Sequence, residues 1–453
     1  MKDKVVTRIP PSPTGRLHIG TARTALFNYL FTKHEGGTIV FRSEDTDKER
    51  SKREHEKEIV EGLQWLGLSW DSFSRQSEGT ERHAELLQQI VGEGKAYVSR
   101  EPAKDDPAWE VEVVRLKNPG RSVTFHDEIR GDITFDTTEL GDFVIARSLR
   151  DPLYHFAVVV DDMDTGVTHV IRGEDHISNT PRQILIQEAL GAPRPIYAHI
   201  PLILDAKRAK LSKRSGATSV MDYRDEGFLP EALVNYFALL GWSPDSDRED
   251  FSLAELVDAF TLEGVQKGGA AFDKEKLFSV NQRWMRKLSN ADFLSQLRGF
   301  VNPSSDEGFT KPLMLAKIVP LLKERARTFG EAREMLEGEL AFLFKMPELA
   351  RETLLAKEPA GRPGVAKYGL EATLEGLEGL ADDVSSELAK DTLMPIANAA
   401  EAEGKGGRGA VLWPLRYALS GQERSPDPFT IISILGRGES LSRIQKAIGI
   451  LTE

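Results

Sequence analysis

The chain has 453 residues, about 40% hydrophobic and 29% charged, a balance typical of a soluble globular protein of roughly two to four domains. It has no cysteine, which excludes disulfides and thiolate metal sites and favours a cytoplasmic location; no apolar run nears the roughly 20 residues that span a bilayer, and Met1 to Pro10 lacks a signal-peptide core. The net charge of −12 argues mildly against a nucleic-acid partner, although one local basic cluster is present, at Lys207, Arg208, Lys210, Lys213 and Arg214.

The first residues predict a strand, a turn, a helix and a second strand. Residues 5–9 (VVTRI) fit a short buried strand, and Pro10 to Gly15 fit a turn. A helix is predicted over Ile19 to His34, and a strand over 38–42 (TIVFR). This βαβ order indicates a parallel nucleotide-binding sheet.

The next region predicts alternating helices and strands. Two amphipathic helices are expected, one carrying Ile59, Leu63 and Leu66 and one over Thr80 to Val91. The segment 99–118 is rich in Pro, Glu and Asp with little periodicity, which indicates an insertion or linker. The strands predicted after it are Val123–Phe125, Ile133–Phe135, Phe143–Ala146, 156–160 (FAVVV) and 167–171 (VTHVI).

The remainder of the chain predicts helices. One is expected over Pro181 to Leu190 and a strongly apolar one over 231–240 (EALVNYFALL). Beyond about Asn290 the pattern indicates helices separated by loops, including a glycine-rich loop from Gly404 to Gly409.

The first chemical motif is PSPTGRLHIG at residues 11–20. A Pro/Gly turn that leaves a strand and opens a helix directs unpaired N–H groups at whatever lies there, which suits phosphate. His18 can donate to a phosphate oxygen, and Gly20 lets a nucleotide approach the backbone. Alone, the motif also fits an ordinary turn with a surface histidine.

The second chemical motif is AKLSKR at residues 209–214. It places Lys210 and Lys213 on a polar stretch, where they could close on a triphosphate and neutralise charge in the transition state. Alone, it also fits a solvated basic loop.

Together and in this order, the two motifs resemble the H-I-G-H and K-M-S-K-S signatures of class I aminoacyl-tRNA synthetases. ARTALFNYLF at 22–31, SEDTD at 43–47, YHFAVVVDD at 154–162 and VIRGEDHISNTPRQ at 170–183 resemble the glutamyl-tRNA synthetase family. PLRYALSG at 414–421 resembles its anticodon-binding region. The resemblance implies an α/β, Rossmann-type parallel-sheet catalytic domain with a short insertion, followed by an all-α C-terminal anticodon-binding region.

The resemblance also implies a glutamate pocket. Arg8 would face the substrate side-chain carboxylate, Arg172 matches a second arginine of that pocket, and Glu44 would accept from the substrate ammonium group. Ser12 and Tyr154 would complete the pocket. From the residues alone, Arg8 or Arg172 could instead form a structural ion pair with Glu44 or Asp175.

The remaining matched positions concern ATP and the reaction. His18, Gly20, Asp175, Ile203 and Lys213 match the ATP site, and Ile203 would pack on adenine. The implied activity is glutamate–tRNA ligation: L-glutamate is activated with ATP to glutamyl-adenylate and transferred to the 3′-terminal adenosine of tRNA(Glu). His18, Lys210, Lys213 and Mg²⁺ would stabilise charge on the phosphates.

The sequence departs from the family in a few places. Thr21 stands at the fourth position of the first signature, Pro10 where alanine is usual, Ser43 before Glu44 where an apolar residue is usual, and His155 where asparagine is usual. The insertion is short and has no cysteine, so we predict no structural zinc and fewer contacts to the acceptor end of tRNA.

The expected division of the chain follows the family. The first catalytic half is 1–97, the insertion 98–150, the second half 151–200, the basic loop and stem-contact region 201–289, and the helical subdomains 290–370 and 371–453. A monomer that does not bind membranes is expected.

Three alternatives remain from the sequence. A glutaminyl-tRNA synthetase is disfavoured because its neutral substrate gives Arg8 no charge to pair. A tRNA-modifying relative would lack the anticodon-binding half. A non-catalytic tRNA-binding paralogue is disfavoured by the retained His18, Lys210 and Lys213.

Overall fold

The structure is a computed structural model that describes residues 4–103, 109–205, 207–209, 211, 219–301 and 312–453. The chain forms two compact units, residues 1–281 and 282–453. The first combines sheets and helices, and the second is helical. The strands are β1 (Val6–Ile9), β2 (Thr38–Ser43), β3 (Ser72–Arg75), β4 (Ala96–Pro102), β5 (Glu110–Leu116), β6 (Ser122–Asp127), β7 (Gly131–Asp136), β8 (Phe143–Ser148), β9 (Asp151–Pro152), β10 (His169–Gly173), β11 (Ile196–Ile200), β12 (Ile203–Leu204) and β13 (Ala270–Ala271).

The helices follow the same chain order. Those before residue 274 are α1 (Ile19–His34), α2 (Arg53–Trp65), α3 (Thr80–Gly92), α4 (Tyr154–Asp164), α5 (Thr180–Leu190), α6 (Val220–Asp225), α7 (Pro230–Leu239) and α8 (Leu253–Ala259). The later ones are α9 (Lys274–Lys287), α10 (Asn290–Arg298), α11 (Pro312–Arg325), α12 (Phe329–Glu337), α13 (Arg351–Leu354), α14 (Val365–Glu378), α15 (Ser386–Ala402), α16 (Gly409–Ser420) and α17 (Pro428–Thr452).

Two largely parallel sheets build the core of the first unit. Strands β1, β2 and β3 pair in that order, all parallel. The second sheet has the order β10-β11-β6-β7, with only β7 antiparallel to its neighbour. The two sheets adjoin at β1 and β10, where the amide of Thr168 donates to the carbonyl of Val6 at 2.9 Å. The chain therefore winds outward in two directions from β1 and β10, as in a doubly wound fold.

Helix α1 spans this junction and is buried over most of its length. Its apolar side chains, including Ala22, Leu26 and Leu30, are almost fully excluded from solvent. Asn28 Nδ2 donates to the carbonyl of Ile171 in β10 at 3.0 Å. The helix thus holds β10 beside β1 and fixes the gap between the strand ends.

Most of the elements predicted for the first unit are confirmed. Helix α1 has the predicted bounds, and the two amphipathic helices are α2 and α3. The predicted strands near residues 123, 133, 143 and 167 are β6, β7, β8 and β10. The helices predicted from residues 181 and 231 are α5 and α7.

The prediction of a strand over FAVVV was wrong, because residues 156–160 lie within helix α4. All five side chains are buried in a core that they share with β6, β8, β10, α3 and α5. A short apolar run of this kind has no polar face to set a period, so a buried helix and a buried strand give the same pattern. Only the tertiary packing decides between them.

The segment 99–118, predicted to be an irregular insertion or linker, instead contains most of an antiparallel hairpin. Strands β4 and β5 pair from Ala96–Leu116 to Pro102–Glu110, and β8 and β9 complete the sheet. Only Ala96, Val114 and Leu116 of the two strands are buried, and in the outer part of β4 half-buried and exposed residues alternate. Residues 110–113 (EVEV) of β5 alternate between polar and apolar, but residues 99–102 (SREP) of β4 do not, so the sequence carried only a short signal for this hairpin.

The second unit is built from helices, as predicted. Helices α15 and α16 approach closely through small residues, with Ala397 and Ala400 packed against Val411. The predicted glycine-rich loop joins these two helices. The predicted subdomain boundary at residue 370 lies within α14, and the division of this unit into two subdomains stays a prediction. Among the described residues, no helix is both long enough and apolar enough to cross a bilayer.

Candidate active site

A cleft of about 450 Å³ opens at the carboxyl ends of β1 and β10, where the two sheets adjoin. Ligands of doubly wound folds bind at this kind of switch point. The cleft brings together all the described residues that the sequence predicted for a site: Arg8, Ser12, His18, Gly20, Glu44, Tyr154, Arg172, Asp175 and Ile203. Lys210 and Lys213 lie outside the described residues.

A larger cavity, of about 640 Å³, lies at the opposite edge of the sheets. It is lined by residues at the beginnings of β10 and β11, such as His169 and Ile196, and by the end of α1. Parallel sheets bind their substrates at the carboxyl edge, because loop residues there converge from several strands. We therefore take the smaller cleft as the candidate active site.

Arg8 is a buried cation at the end of β1, with 1% of its surface exposed. Its Nε lies 3.3 Å from both carboxylate oxygens of Asp162, in α4. Its Nη1 has no hydrogen-bond partner among the described residues. A buried guanidinium with an unused donor facing a cleft is ready to accept an anionic ligand.

Arg42 binds the same carboxylate from the neighbouring strand β2. Its Nη1 lies 2.7 Å from Asp162 Oδ1, and its Nη2 lies 3.2 Å from Glu44 Oε1. Burial alone would raise the pKa of Asp162, but Arg42 and Arg8 lower it overall. Asp162 is therefore a fixed anion that holds both arginines, and Arg42 orients Glu44.

Glu44 has the opposite electrostatic balance. Burial raises the pKa of its carboxyl, and the nearby Arg42 and Arg8 only partly oppose this effect. Its carboxylate lines the cleft while only one of its oxygens is held by Arg42. A ligand cation placed beside Glu44 would favour its charged form.

Arg172, at the end of β10, faces Arg8 across the sheet junction and is also buried. Its Nε donates to His199 Nε2 at 3.1 Å, its Nη1 to Gln183 Oε1 at 2.8 Å and its Nη2 to Thr180 Oγ at 2.8 Å. Burial lowers the pKa of its guanidinium. These acceptors, together with the His176 carbonyl at 3.4 Å from Nη2, are neutral and orient the cation without neutralising it, so its charge is available to a ligand.

Tyr154 and Ser12 complete this end of the cleft. Burial raises the pKa of Tyr154 to about 12, so its hydroxyl stays protonated at neutral pH. Ser12 is exposed at the mouth. Burial and the charge of Arg172 lower the pKa of His176 to about 4, so this cleft-lining histidine is neutral.

The other end of the cleft begins at the N-terminus of α1. His18 is the N-cap residue, and its Nδ1 accepts from the amide of Gly20 at 3.0 Å. The neutral ring therefore carries its proton on Nε2, where it acts as a donor. A Cβ atom on residue 20 would lie 3.3 Å from that same Nδ1, so glycine eases this close approach.

Asp175 and Ile203 form the opposite wall of this end. A Cβ on Gly173 would lie 2.5 Å from Asp175 Oδ1, so glycine is required for the carboxylate to sit beside the strand end. Ile203 is buried, and its carbonyl accepts from the amide of Leu211 at 2.9 Å. Ile203 and Leu211 together give the cleft an apolar wall.

The residues that follow the basic motif in the chain contact the first motif. Ser219 forms an antiparallel bridge with His18, and the amide of Val220 donates to the carbonyl of Leu17 at 3.0 Å. Ser219 Oγ also donates to Glu58 at 2.9 Å. The two sequence motifs are therefore joined through described residues on either side of the cleft.

Sequence reasoning missed the residues that hold the predicted ones in place. Arg42 and Asp162 were noted only as parts of an apolar strand and a family motif, yet they form the central ion-pair network. The sequence did contain a signal for these two residues: each is a charged residue that closely follows an apolar run, TIVF before Arg42 and FAVVV before Asp162. Leu211 was also missed, because a leucine within a basic stretch gives no sign that it will be buried.

Two family patterns match the chain. The pattern described as "tRNA synthetases class I (E and Q), catalytic domain" matches residues 4–106 and 100–279. The pattern described as "Anticodon binding domain" matches residues 291–448.

Individual proteins match over the whole chain. Glutamate–tRNA ligase 1 of Mesorhizobium japonicum is 41% identical, covering 99% of this chain and 100% of that protein. Glutamate–tRNA ligase 1 of Caldanaerobacter subterraneus subsp. tengcongensis is 37% identical, covering 100% and 99%. The crystal structure of a glutamate tRNA ligase from Elizabethkingia meningosepticum, in complex with its amino acid, superposes with a TM-score of 0.85 at 32% identity and covers 99% of each chain.

Proposed function

The chain belongs to the class I tRNA synthetases of the glutamate and glutamine type and is a glutamate–tRNA ligase, and we propose that its cleft binds glutamate between Arg8 and Arg172 and ATP beside His18. The observation that carries this assignment is the set of charges at the junction of β1 and β10. Arg8, Arg172 and Glu44 present two cations and one anion to the cleft. Glutamate has two carboxylates and one ammonium group, which is the complementary set.

In this proposal Arg8 binds the side-chain carboxylate through its unused Nη1. Arg172 supplies the second positive charge of the pocket, and Glu44 accepts from the ammonium group. The Tyr154 hydroxyl, protonated because burial raises its pKa to about 12, donates to the substrate, and Ser12 closes the mouth. Glutamine lacks the side-chain carboxylate, so Arg8 would keep only Asp162 as a negative partner and its Nη1 would lose the charged acceptor, which costs binding energy.

ATP occupies the end of the cleft formed by α1. The helix N-terminus and the Nε2 proton of His18 favour the phosphates, and Gly20 gives them access to the backbone. Asp175 is an acceptor that would repel phosphate, so it faces hydroxyl or amino groups of the nucleotide. Ile203 and Leu211 pack on adenine.

The reaction proceeds in two steps. The α-carboxylate oxygen of glutamate attacks the α-phosphorus of ATP in line, forming glutamyl-adenylate as the bond to pyrophosphate breaks. A hydroxyl of the terminal ribose of tRNA then attacks the activated carbonyl, forming the ester and releasing AMP. Lys210 and Lys213, with His18, stabilise negative charge on the phosphates. Neither step needs a protein nucleophile.

The metal requirements follow from this assignment. ATP enters as its Mg²⁺ complex, in which the phosphates carry the ion. Among the described residues, no group of three or more His, Asp or Glu side chains is placed to hold a metal. We keep the prediction of no structural zinc: elemental analysis should find none in stoichiometric amount, and a zinc chelator should not change the melting temperature or the charging rate.

The tRNA contacts both units of a monomer. The helical unit reads the anticodon, and the catalytic unit receives the acceptor end. We propose the cytoplasm as the place of action, because the product is consumed in translation and the chain has no cysteine to need an oxidising compartment.

Exchange of labelled pyrophosphate into ATP, with tRNA(Glu) present, tests the proposed function. We expect exchange with L-glutamate and at least a hundredfold lower kcat/KM with L-glutamine, since an unpaired buried charge is costly. Faster exchange with glutamine would indicate a glutaminyl-tRNA synthetase. Absence of exchange with either amino acid, while tRNA still binds, would indicate a non-catalytic paralogue.

A further inference from the structure

A buried chain of polar side chains leads away from the cleft behind Arg172. Arg172 Nε donates to His199 Nε2 at 3.1 Å, and His199 Nδ1 lies 2.6 Å from Asp127 Oδ2. The side chains of His199 and Asp127 are both fully excluded from solvent. The three residues come from three adjacent strands of one sheet, β10, β11 and β6.

Hydrogen-bonding chemistry determines which atoms in this series of side chains carry the protons. A carboxylate can only accept, so Asp127 requires the His199 proton on Nδ1. The neutral ring then offers a lone pair at Nε2, which accepts from Arg172. Burial lowers the pKa of His199, which keeps the ring in this neutral form beside the guanidinium.

Asp127 is itself held in one orientation. Its Oδ1 accepts from the backbone amides of Ile129 at 3.1 Å and Arg130 at 3.0 Å. Its Oδ2 accepts from the His199 ring and from the His199 amide at 3.0 Å. The His199 amide also lies 3.3 Å from Oδ1, so the two oxygens share that donor, but the ring bonds only Oδ2 and the amides of Ile129 and Arg130 bond only Oδ1.

We infer that Asp127 and His199 are positioning residues for glutamate binding, which set the orientation of the Arg172 guanidinium by fixing the tautomer of the intervening ring. Neither residue lines the cleft. The inference rests on the proposed role of Arg172 in the glutamate pocket. It assigns a purpose to two buried titratable groups on which the reaction steps do not depend.

Asp127→Asn is the sharpest test, because it preserves shape and replaces one acceptor oxygen with a donor NH₂ group. The amides of Ile129 and Arg130 keep the amide oxygen at the Oδ1 position, so the NH₂ group faces His199 Nδ1. The ring must then place its proton on Nε2, opposite the Arg172 N–H. Two donors cannot bond, so Arg172 loses the acceptor of its Nε and is oriented only by Gln183, Thr180 and the His176 carbonyl. We expect the KM for glutamate to rise about tenfold or more, the usual effect of losing a hydrogen bond to a charged group. The KM for ATP and kcat should change by less than about threefold.

The same hairpin provides a matched control. His126 Nδ1 lies 2.6 Å from Asp132 Oδ1, the same distance as in the buried pair, but both side chains are exposed. Asp132→Asn should leave the KM for glutamate within about twofold of the original, because an exposed pair contributes little. An equal rise in Asp132→Asn and Asp127→Asn would overturn the inference.

Two substitutions of His199 separate positioning from packing. In His199→Gln the amide oxygen can reach the place of Nε2 and accept from Arg172, whereas His199→Leu fills space but accepts nothing. We expect the KM for glutamate to rise clearly less in His199→Gln than in His199→Leu, with melting temperatures measured for both. Equal KM values would mean a purely structural role. If Asp127→Asn does not fold, this pair decides.

A double-mutant cycle with Arg172→Ala distinguishes the inference from the proposed function. If Arg172 binds glutamate, Arg172→Ala raises the KM for glutamate; an unchanged KM overturns the proposed role of Arg172. If Asp127 acts through Arg172, adding Asp127→Asn to Arg172→Ala produces no further rise in KM. A further rise of tenfold, as in the original background, overturns the inference and leaves the proposed function intact.

Discussion

In the proposed assignment, the two ends of the cleft bind their ligands by different physical means. The glutamate end uses buried charges, with Arg8, Arg42 and Arg172 held by Asp162 and by neutral acceptors within the sheets. The ATP end uses the N-terminus of α1, two glycines and an apolar wall, with less burial of charged groups. The first recognises a small ligand by its charges, and the second recognises phosphate through the backbone.

The difference indicates where specificity and catalysis reside. Buried charges discriminate strongly, because a ligand without the right charge leaves one of them unpaired. Such contacts are made equally in the ground state and the transition state. Groups beside the phosphates act on charge that develops during the reaction, so they affect kcat. Mutations at the two ends should therefore change different kinetic constants.

The largest effect is expected at the ATP end from Lys213→Ala. Lys213 lies outside the described residues, and its predicted role is to stabilise the transition state. We expect kcat to fall about a hundredfold or more, with a much smaller change in ATP binding. Pyrophosphate exchange with tRNA present measures both. Lys207→Ala, in the same basic stretch, is the control and should stay within about twofold. Weaker ATP binding with a normal kcat would mean that Lys213 only binds ATP in the ground state. It would also contradict the assignment of effects on kcat to the ATP end.

At the glutamate end the largest effect is expected from Arg8→Ala. The variant leaves the substrate carboxylate without its buried partner, and Asp162 keeps only Arg42, at a cost of roughly 3 kcal/mol or more. The KM for glutamate should rise by more than about a hundredfold. Steady-state charging kinetics provide the measurement, and Arg82→Ala, which removes an exposed arginine of the same unit, is the control. An unchanged KM would remove Arg8 from the pocket.

Glu44→Gln should give a smaller effect that depends on pH. Burial raises the pKa of Glu44, and only the ionised form pairs fully with an ammonium group. In the original protein the KM for glutamate should therefore rise as the pH falls through this raised pKa. The variant should start about tenfold weaker at neutral pH and show a shallower rise on acidification. Parallel pH profiles for the two proteins would mean that Glu44 does not contact the ammonium group.

The smallest effect is expected from Ile203→Val at the ATP end. Removing one methylene from the apolar wall should raise the KM for ATP about threefold and leave the KM for glutamate unchanged. Ile318→Val, at an equally buried position in the helical unit, controls for a general loss of core packing. An effect on glutamate rather than on ATP would show that the apolar wall belongs to the other end.

Helices and strands could be predicted from the sequence wherever they depend on a pattern of neighbouring residues. Both ends of helix α1 were predicted correctly, because the spacing of its apolar residues and the two glycines that follow it are visible in the sequence. Helix α4 was mistaken for a strand because its run of buried β-branched residues has no periodicity. The hairpin of β4 and β5 was missed because β4 has little apolar periodicity and the alternation in β5 covers only four residues.

The candidate site shows the same limit. The motifs located the cleft residues, and all those within the described part of the chain do lie together. The ion pairs within the cleft were not predictable, because Asp162 is 154 residues from Arg8 and 120 from Arg42. From the residues alone Glu44 was an equally reasonable partner for Arg8, yet Glu44 is bound to Arg42.

The long separation of Asp162 from its two arginines has a consequence for synthesis of the chain. A nascent chain that ends before α4 contains β1 and β2 but lacks the carboxylate that neutralises their buried guanidinium groups. Burying those charges without a partner is unfavourable, so the first βαβ unit cannot complete its native packing alone. Folding of the catalytic unit must wait until α4 has left the ribosome, and until then Arg8 and Arg42 remain in water. The cleft therefore forms only after residues 154–164 have been synthesised, more than halfway through this unit.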